Sequence, residues 1–360
     1  MAERRIFANV QALRGVAALM VTIGHGSAFY LFVSGGTDLF LIAYSGVDVF
    51  FVISGFIICM TASAYAGHPW RFLIRRLGRI APAYWVVLAT SAFATQWLAT
   101  GKPWIGDLPP VPTFNTITLL TLTNRFVPQA WSMSFELYFY AATAFILIAP
   151  RRWFWRLIAA AMATQAAAIA IMLLLGGDPD WTVATSGLVL EFGLGCAVAR
   201  LCQIGHRRHA ILALFAGLLA FTAGAVWTRH VGTLSSLPRT ATFGIGAACL
   251  IHAAVALELR GLFVFPGLMQ RLGDWSYSIY LWHLLVLTWL VHWLPVETFT
   301  TIPTRNLYGV ACLLVVIVIS AISHRLIERP ANRAIASGSA QLEQRLLAEQ
   351  IGQPGKPPPR

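Results

Sequence analysis

The chain has 360 residues, of which 58% are hydrophobic and only 11% charged, whereas soluble domains run nearer half apolar and a quarter charged. With a mean hydropathy of +0.69, this composition excludes an ordinary soluble domain and describes a polytopic membrane protein. The formal net charge of +12 would point to nucleic acid in a soluble chain; here the basic residues are read first as topology, and no nucleic-acid partner is expected.

A helix needs about 20 mainly apolar residues to cross the hydrocarbon core, and within lipid it pairs its own backbone groups. Ten such runs follow one another, at 10–33, 39–62, 80–99, 131–149, 156–175, 183–202, 210–227, 240–257, 275–294 and 307–327. The expected fold is therefore an all-α integral membrane bundle of about ten transmembrane helices. The first run lacks a small-residue cleavage site and reads as a retained signal anchor. An even number of spans puts both termini on one side, and all but five of the 26 Lys and Arg fall on that side, the exceptions being Lys102, Arg125, Arg229, Arg239 and Arg305. The positive-inside rule then makes both termini cytoplasmic in a multi-pass inner (plasma) membrane protein. The longest outer connector, about 100–130, holds five prolines and reads as a lid or a re-entrant segment. Residues 1–333 are expected to form one membrane domain. Residues 334–360 read as a mostly disordered cytoplasmic tail with a short helix near 339–350. Cys59, Cys196, Cys202, Cys249 and Cys312 show no metal-ligand spacing and read as small buried hydrophobes; no metal is expected.

Ionisable residues inside spans are costly and usually face the bundle interior, where they pair or do chemistry. Arg14 and His25 are eleven residues apart, about 1100° around a helix, so they share a face while lying roughly 16 Å apart along the axis. Arg14 then sits near the cytoplasmic surface and His25 in the outer half. Asp48 on the second span and Glu136 on the fourth reach a similar outer depth. A His beside a carboxylate is a candidate general base, because the carboxylate fixes its tautomer and raises its basicity. The other reading makes Asp48 and Glu136 structural partners of Arg or Tyr. Arg71, Arg75, Arg76 and Arg79, just before the third span, suit phosphate through charge-assisted hydrogen bonds; the plainer reading is topology alone. Ser276, Tyr280 and His283 form a polar stripe on the ninth span, read either as part of a path inward or as interhelical glue.

Several stretches, in order, carry a resemblance: LRGVAALMVTIGH, GVDVFFVISGFII, RRLGRIAPAYW, WSMSFELYFY, EFGLGCAVA, WSYSIYLWH and HRLIERP. Over residues 5–333 the chain resembles the acyltransferase-3 family of integral membrane acyltransferases, most of all its exopolysaccharide-acetylating members. The resemblance implies transfer of an acyl group, commonly acetyl, from cytoplasmic acyl-CoA to a hydroxyl across the membrane. It implies that His25 is the catalytic base, that Arg14 is required, and that Arg76 and Arg79 serve the acyl donor. The acceptor, a carbohydrate or another hydroxyl-bearing molecule, is left open, as is the oligomeric state.

The resulting expectation is a ten-helix O-acyltransferase using acyl-CoA as co-substrate. Its catalytic residues are His25 and Arg14, with Asp48 or Glu136 orienting His25 or the acceptor. Arg75, Arg76 and Arg79 hold the donor phosphates, and Ser276 and Tyr280 line the path of the thioester arm. A polysaccharide or lipid-linked sugar transporter (a flippase) would also use buried charges and a basic inner face, but such folds often carry internal repeats, and none is obvious here. A membrane sensor or scaffold leaves the co-located charges unexplained.

Overall fold

The computed structural model describes residues 7–32, 39–100, 113–120, 122–178, 180, 182–232, 235–335 and 337. Among these residues the fold is all-helical. Long helices stand at each of the ten expected places: α1 (Ala8–Ala28), α2 (Gly46–Thr61), α3 (Pro69–Thr100), α4 (Trp131–Ile146), α5 (Phe154–Leu174), α6 (Val189–Gln203), α7 (Ala210–Val231), α8 (Ser236–Leu259), α9 (Gly267–Trp293) and α10 (Ile302–Ile335). Six of them, α2 with its flanking tight turns, α3, α5, α7, α8 and α10, are long and apolar enough to cross a membrane. The chain is a multi-pass membrane protein.

Several boundaries differ from those expected. Helix α3 begins at Pro69, eleven residues before the apolar run at 80, so the arginine cluster lies on the helix itself. Helices α9 and α10 likewise begin at Gly267 and Ile302, ahead of their apolar runs. A hydropathy scan stops where charges begin, while the backbone keeps its helical hydrogen bonds into the polar interface. The start of the second run, Leu39–Ser45, is a tight 3-10 turn leading into α2. The expected end of the membrane domain at 333 falls within α10; beyond it only residues 334, 335 and 337 are described, so the tail and its helix near 339–350 lie outside the described residues. Most of the 100–112 part of the long connector lies outside them too. Its apolar middle forms a short helix, Phe114–Thr118, tied to α3 and α4: the Tyr84 hydroxyl donates to the Thr116 carbonyl, and Ser134 donates to the Leu119 carbonyl at 2.8 Å.

Helices α5, α7 and α10 present apolar side chains such as Ile171, Leu219, Leu314 and Val318 on the outside, as lipid-facing helices do. Helix α2 is central and carries a near-continuous buried set that includes Phe51, Val52, Ile53, Phe56 and Ile58. Two glycine crossings bring backbones together. On α2 and α6, a β-carbon on Gly55 would lie 2.1 Å from the Phe192 carbonyl oxygen, and one on Gly195 2.0 Å from that of Val52. On α1 and α9, a β-carbon on Gly273 would lie 1.8 Å from the Gln11 carbonyl oxygen. With little hydrophobic drive between helices in lipid, such close packing is a main source of association.

Gly273→Leu is accordingly expected to separate α1 from α9, costing at least about 1–3 kcal/mol of overpacking. At Gly267, by contrast, an added β-carbon meets nothing within 4 Å. Thermal unfolding in detergent should show a lowered Tm for Gly273→Leu and a near-unchanged one for Gly267→Ala; equal Tm values would contradict the crossing.

Candidate active site

The start of α1 is anchored by a side-chain cap from α8. Glu258 accepts the backbone N–H groups of Ala8 at 3.0 Å and Asn9 at 2.7 Å, a carboxylate at a helix N-terminus where the dipole favours it. Buried Asn9 donates to the carbonyls of Ala254 and Phe263 and accepts from the Phe265 N–H at 2.8 Å. This fixes α1 against the α8–α9 connection, and the Gly15/Gly273 contact then sets its register on α9. Ten residues further along both helices, His25 meets His283. The sequence separation of 258 is the same at both points, so the helices run parallel and side by side.

Two cavities lie along this seam. The larger, about 490 Å³, opens around the start of α1, the end of α10 and the first turns of α3; Gln11, Tyr65, Arg75, Asp274 and Glu328 are in its wall. The smaller, about 80 Å³, lies deeper and is lined by Phe50, Ser54, Ser132, Glu136, Tyr140, Ser276, Tyr277 and Tyr280, among others. Arg14, Ile57, Arg76 and Arg79 belong to both walls. A vestibule thus narrows past three guanidinium groups into a chamber.

The arginines are set by helical spacing. Arg75, Arg76 and Arg79, three and four residues apart, share a face of α3. Arg75 donates to the Tyr65 hydroxyl at 3.1 Å and Arg76 to Thr61 Oγ1 at 2.7 Å. The Arg76 guanidinium also lies over the rings of Phe72 and Tyr140, at 5.5 and 6.0 Å. Arg14 donates to Gln11 at 3.2 Å, and Arg79 has no hydrogen-bond partner among the described residues. No carboxylate forms an ion pair with Arg14, Arg76 or Arg79 among those residues, so the narrowing offers guanidinium donors that no carboxylate engages directly, although Glu136 and Glu328 stand in the walls of the same two cavities.

In the chamber, Glu136 accepts from the Tyr140 hydroxyl and, at 3.4 Å, from Ser54. Tyr280 donates to the Gln129 carbonyl at 2.6 Å and shares a 2.6 Å hydrogen bond with Ser132. Ser276 is fully buried and its Oγ has no partner among the described residues, an uncommon and costly state for a buried hydroxyl. Arg71, expected with the cluster, is in neither wall.

His25 lines neither cavity. It lies on the same seam, next to His283, which is one turn along α9 from Tyr280. His25 Nδ1 is 2.9 Å from the Val21 carbonyl and 3.3 Å from His283 Nε2, and the Tyr44 ring meets it edge-on at 5.2 Å. Nε2 has no partner among the described residues.

The structure gathers Arg14, Arg76, Arg79, Glu136, Ser276 and Tyr280 around one chamber and keeps Arg75 in the vestibule. Neither Asp48 nor Glu136, one of them expected to orient His25 or the acceptor, is hydrogen-bonded to His25, whose hydrogen-bond contacts among the described residues are Val21 and His283. Glu136 belongs to the chamber, on the arginine side. Asp48, fully buried, is bound on both oxygens by Arg239 of α8, Nε to Oδ1 at 3.2 Å and Nη2 to Oδ2 at 2.7 Å. Position along a helix axis gives depth but not direction: α2 turns Phe50 and Ser54 to the chamber and Asp48 away, to α8. Sequence reasoning missed Arg239, counted only as an outer positive charge, and also Tyr140 and Ser132. Tyr140 had a signal in its i+4 spacing from Glu136. Nothing in one sequence pairs Asp48 with a residue 191 positions away.

Comparison with known proteins agrees with the resemblance. A family model described as an acyltransferase domain, acyltransferase-3, matches residues 7–325. The exopolysaccharide production protein ExoZ of Rhizobium meliloti (strain 1021) is 30% identical over 315 residues, which cover 81% of this chain and 92% of that protein. BcsY of Komagataeibacter xylinus, named as a membrane-bound transacylase, is 28% identical, covering 89% of this chain and 82% of its own length. The acyltransferase MdmB of Streptomyces mycarofaciens is 26% identical, covering 80% of each. No solved structure matches the chain significantly. A match over residues 7–325 takes in the seam, the chamber, most of the vestibule wall and the histidine pair, so the chain belongs to the acyltransferase-3 family and is an acyltransferase.

Proposed function

We propose that all ten long helices cross the inner membrane, with both termini cytoplasmic, and that the protein moves a short acyl group, acetyl, from cytoplasmic acyl-CoA to a hydroxyl of an exported polysaccharide. The observation that carries this reading is the vestibule narrowing past Arg14, Arg76 and Arg79 into the chamber. Guanidinium groups without carboxylate partners suit phosphate, because they offer planar, charge-assisted donors. The vestibule lies on the side to which the positive-inside rule assigns the cytoplasm. The chamber's 80 Å³ has room for only about three waters at the liquid's roughly 30 Å³ each, which suits a two-carbon acyl group better than a long chain. Ser276, buried with an unused hydroxyl, offers a hydrogen bond to the pantetheine arm or the thioester. The polysaccharide acceptor is supported by the name of ExoZ.

In this reading the acceptor oxygen attacks the thioester carbonyl as His25 Nε2 takes its proton. The new C–O bond forms, the C–S bond breaks, and the CoA thiolate leaves and takes up the proton held by His25. Concerted deprotonation is needed because a sugar hydroxyl has a pKa far above neutrality. Holding both substrates in one site supplies much of the remaining advantage. Arg14, at the narrowing, serves the donor rather than the proton transfer.

Arg79→Ala and Arg76→Ala test the donor assignment. Each removes a charge-assisted contact, so KM for acetyl-CoA should rise about tenfold or more, with kcat changed much less. The measurement is steady-state transfer of radiolabelled acetyl groups from acetyl-CoA to polysaccharide in membranes of the producing cell. An unchanged KM at normal protein levels would leave these arginines a topological role alone.

A further inference from the structure

His25 has a nitrogen partner where a general base often has a carboxylate. Carbonyl oxygens only accept hydrogen bonds, so their positions fix where the ring protons are. His283 Nδ1 lies 2.7 Å from the Tyr280 carbonyl and 3.2 Å from that of Ile279, so Nδ1 carries the proton and Nε2 of the neutral ring is a bare acceptor. His25 Nδ1 lies 2.9 Å from the Val21 carbonyl, so that nitrogen carries a proton as well. The 3.3 Å contact between the rings therefore has one sense: His25 Nδ1–H is shared between the Val21 carbonyl and His283 Nε2. His25 Nε2 is left with its lone pair exposed.

We infer that His283 is the positioning residue of the transfer reaction, holding His25 in the tautomer whose Nε2 accepts the acceptor's proton. His283 is fully buried and its ring is held by two backbone carbonyls of its own helix. It cannot turn without leaving Nδ1–H unpaired in an apolar interior, which is costly. When His25 becomes an imidazolium, its Nδ1–H bond to a lone pair strengthens, as charge-assisted bonds do. The carboxylates that could have served instead are engaged elsewhere, Asp48 by Arg239 and Glu136 by Tyr140. The inference rests on His25 being the base, as proposed above.

The test compares three substitutions, with acetyl transfer measured in membranes of the producing cell using radiolabelled acetyl-CoA and native polysaccharide. Gln places a carbonyl oxygen near the position of the His283 Nε2 atom, whereas Asn is too short to reach His25. Leu removes the acceptor and leaves no polar group behind, so it remains informative if the Asn variant folds poorly. His283→Asn and His283→Leu should lose about 10²-fold in kcat, the upper end of what removing such an orienting partner costs, with KM for acetyl-CoA within threefold. His283→Gln should stay within about tenfold of the wild type. In a His25→Ala background, His283→Asn should cause no further loss, because residues acting as a unit are non-additive. Wild-type kcat in the Asn and Leu variants, equal losses in Gln and Leu, or additive losses in the double variant would each overturn the inference. The two readings fail differently: normal turnover in His25→Ala removes the base itself, whereas an inactive His25→Ala beside a fully active His283→Leu removes only the positioning role.

Discussion

His25→Ala should lower acyl transfer by about 10²- to 10⁴-fold, the range for a lost general base, while acetyl-CoA still binds with near-normal affinity. The separation follows from the geometry. His25 lines neither cavity, whereas Arg14, Arg76 and Arg79 line both. Its hydrogen bonds are to Val21 on its own helix and to His283, so its removal leaves the bundle's main contacts in place. Arg14→Ala is the contrasting variant. Arg14 shares the helix face with His25 but lies roughly 16 Å away along the axis, at the narrowing between vestibule and chamber. It should weaken donor binding and spare the proton-transfer step. Binding and turnover measured separately in nanodiscs check both. Equal loss of donor binding in the two variants would contradict the division of labour along α1.

Asp48→Ala should destabilise the protein by about 1–3 kcal/mol, because it removes both hydrogen bonds of a buried ion pair and leaves buried Glu191 as the neighbouring carboxylate for Arg239. Asp48 is fully buried and gives both oxygens to Arg239; no hydrogen bond joins it to His25 among the described residues. Asp48→Ala should therefore lower Tm and yield while leaving activity per folded molecule near that of the wild type. The double variant Asp48→Leu, Arg239→Met removes both charges and keeps the volume, and such replacements are often neutral or stabilising; it should recover Tm. A large fall in kcat at unchanged Tm would instead place Asp48 in the chemistry.

The sequence and structure agree where a physical rule leaves one answer. Apolar runs mark helices in lipid because backbone groups have no other partner there, and helices stand at all ten runs. The helices that fall short in length or apolarity are α1, α4, α6 and α9; α4 and α6 are short, whereas α1 and α9 are long enough and lose apolarity to polar residues that include Arg14, His25, Ser276 and Tyr280. The arginine face of α3 was legible as composition and spacing, though not as helix, because charge ends a hydropathy window before it ends a helix. Partners across the bundle were not legible. The bond between Asp48 and Arg239 depends on the azimuth of α2 against α8. The meeting of His25 with His283 depends on a register set by Gly15 and Gly273, which in sequence look like any other small residues.

The proposed reaction brings donor and acceptor together within the bundle from opposite faces of the membrane. It is tested most directly with the purified protein in sealed proteoliposomes of known orientation, with a soluble acceptor oligosaccharide cut from the producing cell's polysaccharide on one side and radiolabelled acetyl-CoA on the other. The account predicts that label reaches the oligosaccharide only when acetyl-CoA is on the side of the Arg75, Arg76 and Arg79 vestibule and the acceptor is on the opposite side, and that His25→Ala abolishes this transfer. Equal labelling with both substrates on one face, or with acetyl-CoA on the face away from the vestibule, would contradict it.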